Sequence, residues 1–321
     1  MAPVENTAAA VVSAQSAPGL RSLQSQAPAY PSLSTIKELL KPITWFPPMW
    51  AFGCGVVSSH RPLAGRWLTV LAGIALAGPL VCASSQAVND WFDRDVDAIN
   101  EPQRPIPSGR MPGRWGLYIA ILWTLLSLAV ATTLGRWGFG AAVVGLILAW
   151  VYSAPPLRLK MNGWWGNAAC GLSYEGLAWI TGAAVMMNGE MPGPHTLTLA
   201  LLYSIGAHGI MTLNDFKAIE GDRRMGVRSL PVQLGAEGAA LVACTLMLLP
   251  QVLVVAFLLK WGAGWHPIAV GGLILAQALL MWRFLGEPVK RAIWYSALGV
   301  NFYVAGMLIS AFAVRGLPGS S

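Results

Sequence analysis

Residues 115–134 read WGLYIAILWTLLSLAVATTL, from Trp115 to Leu134, without one charged side chain. At a rise of about 1.5 Å per residue, a helix of this length spans about 30 Å, the depth of a bilayer's hydrocarbon core. A segment in lipid must satisfy its own backbone hydrogen bonds, and the alternation that a barrel strand needs is missing, so the stretch reads as a helix. Comparable runs recur along the chain, approximately at Ile43–Ser59, Trp67–Val88, Trp137–Ser153, Asn167–Met187, Thr196–Leu213, Gly238–Leu259, Pro267–Leu285 and Ala292–Val314. The sequence therefore predicts an all-α integral membrane protein of about nine transmembrane helices.

Composition agrees. Charged residues make up 11% of the chain and hydrophobic ones 55%, against about 25% charged in a soluble domain. So little charge leaves too little polar surface to face water. Trp and Tyr stand near many of the span ends, where interfacial anchors belong. The four cysteines, Cys54, Cys82, Cys170 and Cys244, sit singly within apolar runs. With no metal-ligand spacing they read as small buried hydrophobes. Residues 1–33, rich in Ala, Ser, Gln and Pro, read as a disordered tail, and 34–321 as one polytopic domain. Where they join, SLSTIKELLKP reads as a short helix at the membrane surface, capped by Ser34 or Thr35.

The formal charge of +7 does not point to nucleic acid, because the basic residues form no single tract. With these spans, 16 of the 21 Lys and Arg residues fall on one side and 5 on the other. That asymmetry places the N-terminus and the long loops in the cytoplasm and the C-terminus in the periplasm.

The scarce acids are concentrated. VNDWFDRDVDAINEPQRPIPSG, Val88 to Gly109, follows the second span, and NDFKAIEGDRRMGVRSLP, Asn214 to Pro231, follows the sixth. Together they hold 8 of the 14 acidic residues, and both begin with Asn-Asp at a span end. Asn89, Asp93 and Asp97 are spaced four apart, and Asp90 is three before Asp93, so the four share a helix face while Asp95 points away. Asp215 and Asp222, two turns apart, are read as sharing a face too. Like charges so placed destabilise a helix unless something neutralises them. Mg²⁺ does so: it takes oxygen ligands and is held by a few carboxylates plus substrate phosphates. Arg94, Arg104, Lys217 and Arg223 in the same loops supply cations for phosphate oxygens. A solvated acidic loop would explain neither the spacing nor the second copy.

These residues carry a resemblance. NDWFDRDVDAINEPQRPIPSG resembles the first aspartate-rich motif of the intramembrane aromatic prenyltransferases. Together with YSAPPLRLKMNGWWGN (Tyr152 to Asn167) and NDFKAIEGDRRMGVRSLPVQLG (Asn214 to Gly235), it is similar to the chlorophyll and bacteriochlorophyll synthase branch, from about Leu40 onward. The first motif, Asn-Asp-x-x-Asp-x-x-x-Asp, maps onto Asn89, Asp90, Asp93 and Asp97. The second, Asp-x-x-x-Asp, matches only at Asp222, because Ala218 stands four before it. Its partner is then Asp215 or Glu220.

The resemblance implies a Mg²⁺-dependent enzyme of a multi-pass inner membrane, the intracytoplasmic photosynthetic one. It implies geranylgeranyl or phytyl diphosphate as donor and the propionate of bacteriochlorophyllide a as acceptor, with pigment-assembly proteins as possible partners. The acceptor carboxylate is already ionised, so no strong base is required, and the cytoplasmic loops contain no histidine. Asn89, Asp90, Asp93, Asp97, Asp215, Glu220 and Asp222 become candidate metal ligands. Asp93, Asp97, Arg104 and Lys217 become the catalytic set. Asn89, Asp90, Arg94, Tyr152, Arg158, Lys160 and Arg223 become candidate binding residues.

Two intramembrane residues join that list. Glu175, costly in a bilayer, reads either as a contact to the macrocycle or as a structural hydrogen bond. His208 reads as a satisfied buried histidine or as a ligand to the macrocycle's central Mg. A secondary transporter would place its ionisable groups near the midplane instead. A pigment-binding assembly factor would not need a complete first motif. A haem or quinone prenyltransferase lacks the chlorophyll-type flanks.

Overall fold

A computed structural model of the protein describes residues 29–317. Most of the expected tail, residues 1–28, lies outside the described residues. The first helix, α1, is Leu33–Leu40, and its cap is Ser32, whose extended backbone lets the side chain accept from the Thr35 N–H. The helix thus starts before both Ser34 and Thr35, the caps expected from sequence. Lys41 ends it in the left-handed region, φ 46°. A short 3₁₀ turn then leads into α2, Phe46–Ser58.

The elements that follow are all helices, and the described residues contain no strand beyond one isolated bridge. Among the described residues, six helices are long and apolar enough to cross a membrane: Trp67–Asn100, Trp115–Ser153, Pro194–Asp215, Leu230–Lys260, His266–Gly286 and Pro288–Arg315. The second of these is broken by a 3₁₀ turn at Thr132–Leu134 and by Gly135, whose φ of +79° suits a residue without Cβ. Two expected spans coincide with helical segments outside the six. One is α2, with 13 residues. The other is the succession Gly163–Gly171, Leu172–Leu177 and Ala178–Met186. The remaining helices take the labels α3 (Trp67–Asn100), α4 (Trp115–Ala131), α5 (Gly135–Ser153), α6 (the Gly163 succession), α7 (Pro194–Asp215), α8 (Ile219–Arg224), α9 (Leu230–Lys260), α10 (His266–Gly286) and α11 (Pro288–Arg315).

Small residues let these helices close up, as they do where lipid gives no hydrophobic drive between them. α2 lies against the end of α6, α7 against α9, and α10 against α11. Trp179 stacks on Tyr203 with ring centroids 5.7 Å apart and donates to Ser58 Oγ at 3.1 Å. Tyr203 Oη meets Ser310 Oγ at 2.8 Å, and Tyr303 donates to the Tyr203 carbonyl at 2.5 Å. A second buried chain runs from Gln251 through Gln277 to Tyr295. Each polar atom so paired avoids the penalty of an unsatisfied group in an apolar interior.

Two stretches depart from α geometry in a way that matters below. Leu76–Cys82 in α3 and Leu172–Leu177 in α6 are π-helical. The first contains Pro79, which has no N–H to give to the ladder, and a widened turn accommodates it. Trp123 Nε1 donates to the Pro79 carbonyl at 3.0 Å.

Candidate active site

The acidic end of α3 is α-helical from Ala83 through Asn100, and it brings Asn89, Asp93 and Asp97, but not Asp90, to one cavity. Asp93 and Asp97 line a polar cavity of about 560 Å³, together with Asn89. Asp95 points away, its side chain 85% exposed and near Arg94. Asn89 is held by a hydrogen bond to Ser153 Oγ at the end of α5, at 3.2 Å.

The second acidic stretch, which begins at Asn214, forms the opposite wall. Asp215, Lys217 and Asp222 line it. Sequence spacing put Asp215 and Asp222 on one face of one helix. Instead α7 ends at Asp215, a turn intervenes, and α8 begins at Ile219, so the turn rather than helical periodicity brings the two carboxylates together. The roof comes from the stretch between α5 and α6. Its end is stitched to the loop before α9: Gly163 N donates to the Arg228 carbonyl at 2.8 Å, and Arg228 N donates to the Met161 carbonyl at 2.9 Å. A Cβ at Gly163 would stand 2.6 Å from Leu230 N, so only glycine allows this approach. The stitch aims Lys160 and Arg158 into the cavity.

The α3 wall and the roof meet as paired charges. Lys160 Nζ donates to Asp93 Oδ1, and Arg158 Nη2 lies 3.8 Å from the same oxygen. Arg104 Nη1 donates to Asp97 Oδ2 at 2.8 Å, while its Nε donates to Glu101. Burial pulls the Lys160 ammonium below its usual range, against the opposing pull of Asp93. Burial likewise raises the Asp222 carboxyl. Desolvated charges of this kind, gathered in a cleft, are what functional sites accumulate.

The cavity gathers most of the expected residues and leaves others elsewhere. Asp90 is 2% exposed and sits behind the wall, accepting from Lys41 Nζ at 2.6 Å with Arg104 at 3.5 Å. Arg94 folds back over the Trp91 ring, 4.5 Å from its centroid. Glu220 and Arg223 are both 64% exposed and pair with each other. Asp215 is therefore the acid that faces Asp222. Glu175 is buried in the π-helical stretch of α6, and its Oε2 finds no partner among the described residues. His208 Nε2 donates to the Trp164 carbonyl at 3.1 Å, and the ring lines a separate apolar groove with Trp164 and Trp165.

Sequence reasoning missed Lys41, Asn167 and Ser229. Asn167 and Ser229 line the cavity, and Asn167 Nδ2 donates to Asp215 Oδ2 at 3.1 Å. Only Asn167 left a signal, as the last residue of the second similar segment, Tyr152 to Asn167.

A second cavity, apolar and of about 180 Å³, opens from the first, and Asn89 and Tyr152 line both. It runs between the two π-helical stretches, with Val81 and Cys82 on one side and Ser173 and Tyr174 on the other. A smaller pocket prolongs it past Val81 and Gly145 to Leu177 and Thr181. The two widened turns thus shape a greasy passage that ends at a charged mouth.

A polar mouth with two acidic walls above an apolar passage invites comparison with known proteins. Residues 44–310 match the UbiA prenyltransferase family. The chain belongs to the UbiA prenyltransferase family. Within it, the chain is 56% identical over 287 residues to the bacteriochlorophyll synthase 33 kDa chain of Cereibacter sphaeroides, covering 89% of this chain and 95% of that one. The counterpart from Rhodobacter capsulatus is 54% identical, with the same coverage. The chloroplastic chlorophyll synthase of Avena sativa is 40% identical over 86% of this chain and 75% of its own.

Among solved structures, a digeranylgeranylglyceryl phosphate synthase superposes with a TM-score of 0.69 at 23% identity, covering 87% of this chain and 98% of that one. A UbiA homologue from Archaeoglobus fulgidus bound to GPP and Mg²⁺ gives 0.65 at 22%, covering 85% and 99%. These two carry the fold. The close relatives place the chain in the bacteriochlorophyll synthase branch, an enzyme branch of multi-pass membrane proteins.

No three His, Cys, Asp or Glu groups form a ready-made metal cage among the described residues. The donor set nonetheless fits a hard divalent ion, because Mg²⁺ keeps several waters and needs only one or two carboxylates plus phosphate oxygens. Asp93 and Asp97 on one wall and Asp215 and Asp222 on the other offer such oxygens.

Proposed function

We propose that this protein transfers a geranylgeranyl or phytyl group from its diphosphate to the propionate carboxylate of bacteriochlorophyllide a. The observation that carries this reading is the junction at Asn89 and Tyr152, where a charged cavity meets an apolar passage. A prenyl diphosphate has the same two halves. Its head belongs among Lys160, Arg158, Arg104 and Lys217, and its tail belongs between the π-helical stretches. The names of the close relatives supply the acceptor.

At the junction the bond between the prenyl C1 and the diphosphate oxygen breaks, the electron pair leaves with diphosphate, and a propionate oxygen bonds to C1. Positive charge builds on the allylic carbons and negative charge on the leaving group. Lys160, Arg158, Arg104 and Lys217 stabilise the latter by charge-assisted hydrogen bonds. Asp93, Asp97, Asp215 and Asp222 would hold Mg²⁺, which when bound would add charge neutralisation at the diphosphate. The apolar passage keeps water from the allylic cation.

We read the chain as a nine-span protein with a cytoplasmic N-terminus and a periplasmic C-terminus. The break at Gly135 and the helical segments Phe46–Ser58 and Ala178–Met186 support that count. Its site then faces the cytoplasm of a photosynthetic inner membrane.

Purified protein given bacteriochlorophyllide a, geranylgeranyl diphosphate and Mg²⁺ is expected to yield esterified pigment by chromatography, and to leave 4-hydroxybenzoate unprenylated. Prenylated benzoate without esterified pigment would move the protein to a quinone branch.

The passage carries its own prediction. A Cβ at Gly145 meets Val81 and Leu177 at 3.7 and 3.8 Å, ordinary contacts, and points into the passage. Gly145→Ala is expected to retain activity. Gly145→Phe is expected to lower kcat/KM for geranylgeranyl diphosphate by about tenfold or more, the scale on which pocket shape discriminates, and to spare geranyl diphosphate. Equal loss for both donors would place the tail elsewhere.

A further inference from the structure

The two acidic walls differ in their partners. On the first, Asp93 is paired with Lys160 and approached by Arg158, and Asp97 is paired with Arg104. On the second, Asp215 and Asp222 have no ion-pair partner among the described residues. Asp215 accepts from the neutral amide of Asn167, and the charges of Asp215 and Asp222 lie within Coulombic reach of each other. Lys217 lines the same cavity, again with no ion pair among the described residues.

Resting on the reading of the cavity as a metal–diphosphate site, we infer that the walls fill in a fixed order. Asp215 and Asp222 accept a divalent cation on its own. Asp93 and Asp97 accept one only when a diphosphate draws Lys160 and Arg104 away from them, so that these two cations act as built-in stand-ins for the second metal.

The physical reason is desolvation. The side chains of Lys160 and Asp93 are 13% and 18% exposed. A dication placed on Asp93 while Lys160 stays beside it would strand a half-buried ammonium against a like charge, the costly case for buried pairs. A diphosphate removes that penalty by giving Lys160 and Arg104 new acceptors. The exchange is reciprocal: whatever factor diphosphate adds to the affinity of the second metal, that metal adds to the affinity of diphosphate. Lys217 and Arg158, less committed to carboxylates, provide the first landing point for the anion.

The test is equilibrium dialysis of the full-length protein with radioactive Mn²⁺, with inorganic diphosphate either absent or present on both sides. This reads binding without turnover. Wild type is expected to bind about one Mn²⁺ per chain alone and about two with diphosphate, as a two-metal phosphoryl site allows. Asp222→Asn should lose the diphosphate-independent ion. Asp93→Asn should keep that ion and lose the diphosphate-dependent one. Lys160→Met, by freeing Asp93, should bind the second ion without diphosphate, with affinity raised about tenfold or more over wild type.

Two ions bound by wild type without diphosphate would overturn the inference, as would loss of the diphosphate-independent ion in Asp93→Asn. These outcomes leave the metal–diphosphate reading standing. No Mn²⁺ bound under either condition would overturn that reading and the inference with it.

Discussion

Asp93→Asn and Asp97→Asn are each expected to lower turnover by about 10²-fold or more, while Asp95→Asn keeps most activity. The first figure is the scale on which one electrostatic stabiliser of a transition state acts. All three substitutions remove one negative charge almost isosterically within five residues of α3. Only position separates them. Asp93 and Asp97 line the cavity and hold Lys160 and Arg104. Asp95 faces away with its side chain 85% exposed, where an ion pair contributes little. Raising Mg²⁺ should partly restore the weak variants, since a lost ligand lowers metal affinity. Steady-state kcat and KM across a Mg²⁺ series check this. Three similar, mild variants would describe a solvated acidic loop. Normal turnover in Asp93→Asn would remove the metal site from the account.

A second large effect is expected on stability. Gly53 and Gly55 lie two residues apart in α2. A Cβ at Gly53 meets nothing within 4 Å. A Cβ at Gly55 would stand 2.1 Å from the Trp179 carbonyl oxygen and 2.9 Å from Ala183 N. Both obstacles are backbone, which no rotamer change relieves. Gly182 makes the matching approach from α6, its Cβ position 2.1 Å from the Phe52 carbonyl oxygen. Gly55→Ala must therefore push α2 away from α6, at about 1–3 kcal/mol or more for overpacking. Gly53→Ala is expected to be neutral or slightly stabilising, because its Cβ enters open space and Ala is the better helix former. Thermal unfolding of the detergent-purified variants checks the pair. Equal midpoints for the two would mean that α2 and α6 are not in contact along this line.

The consequence reaches the site. α6 carries Tyr174 on the passage wall and begins at the stitch that aims Lys160. A displaced α6 would loosen both.

Much of this was legible in the sequence because periodicity and hydropathy are local. An uncharged run such as Trp115–Leu134 states its helical nature by itself, and the i, i+4 spacing of Asn89, Asp93 and Asp97 states a shared face. What failed was non-local. Burial of Asp90 behind the wall depends on Lys41, 49 positions away, and no spacing rule reaches that far. Arg94 found Trp91 within its own helix and never turned inward. Asp215 and Glu220 look equivalent in the sequence as partners of Asp222. A turn after Asp215 decides which one faces the cavity, and Phe216, Lys217 and Ala218 contain no Gly or Pro to announce it. The passage was invisible for a similar reason. It depends on two π-helical stretches, of which only the one at Pro79 has a residue that explains the departure.

The central claim is that the prenyl group moves from diphosphate onto an oxygen of an intact carboxylate. Bacteriochlorophyllide a carrying ¹⁸O at both propionate oxygens tests it directly, by mass spectrometry of the esterified pigment formed with geranylgeranyl diphosphate and Mg²⁺. The account predicts that the ester keeps both labels and that the released diphosphate carries none. Loss of one label from the ester would mean that the carboxylate is activated and attacked by an alcohol, and would contradict the account.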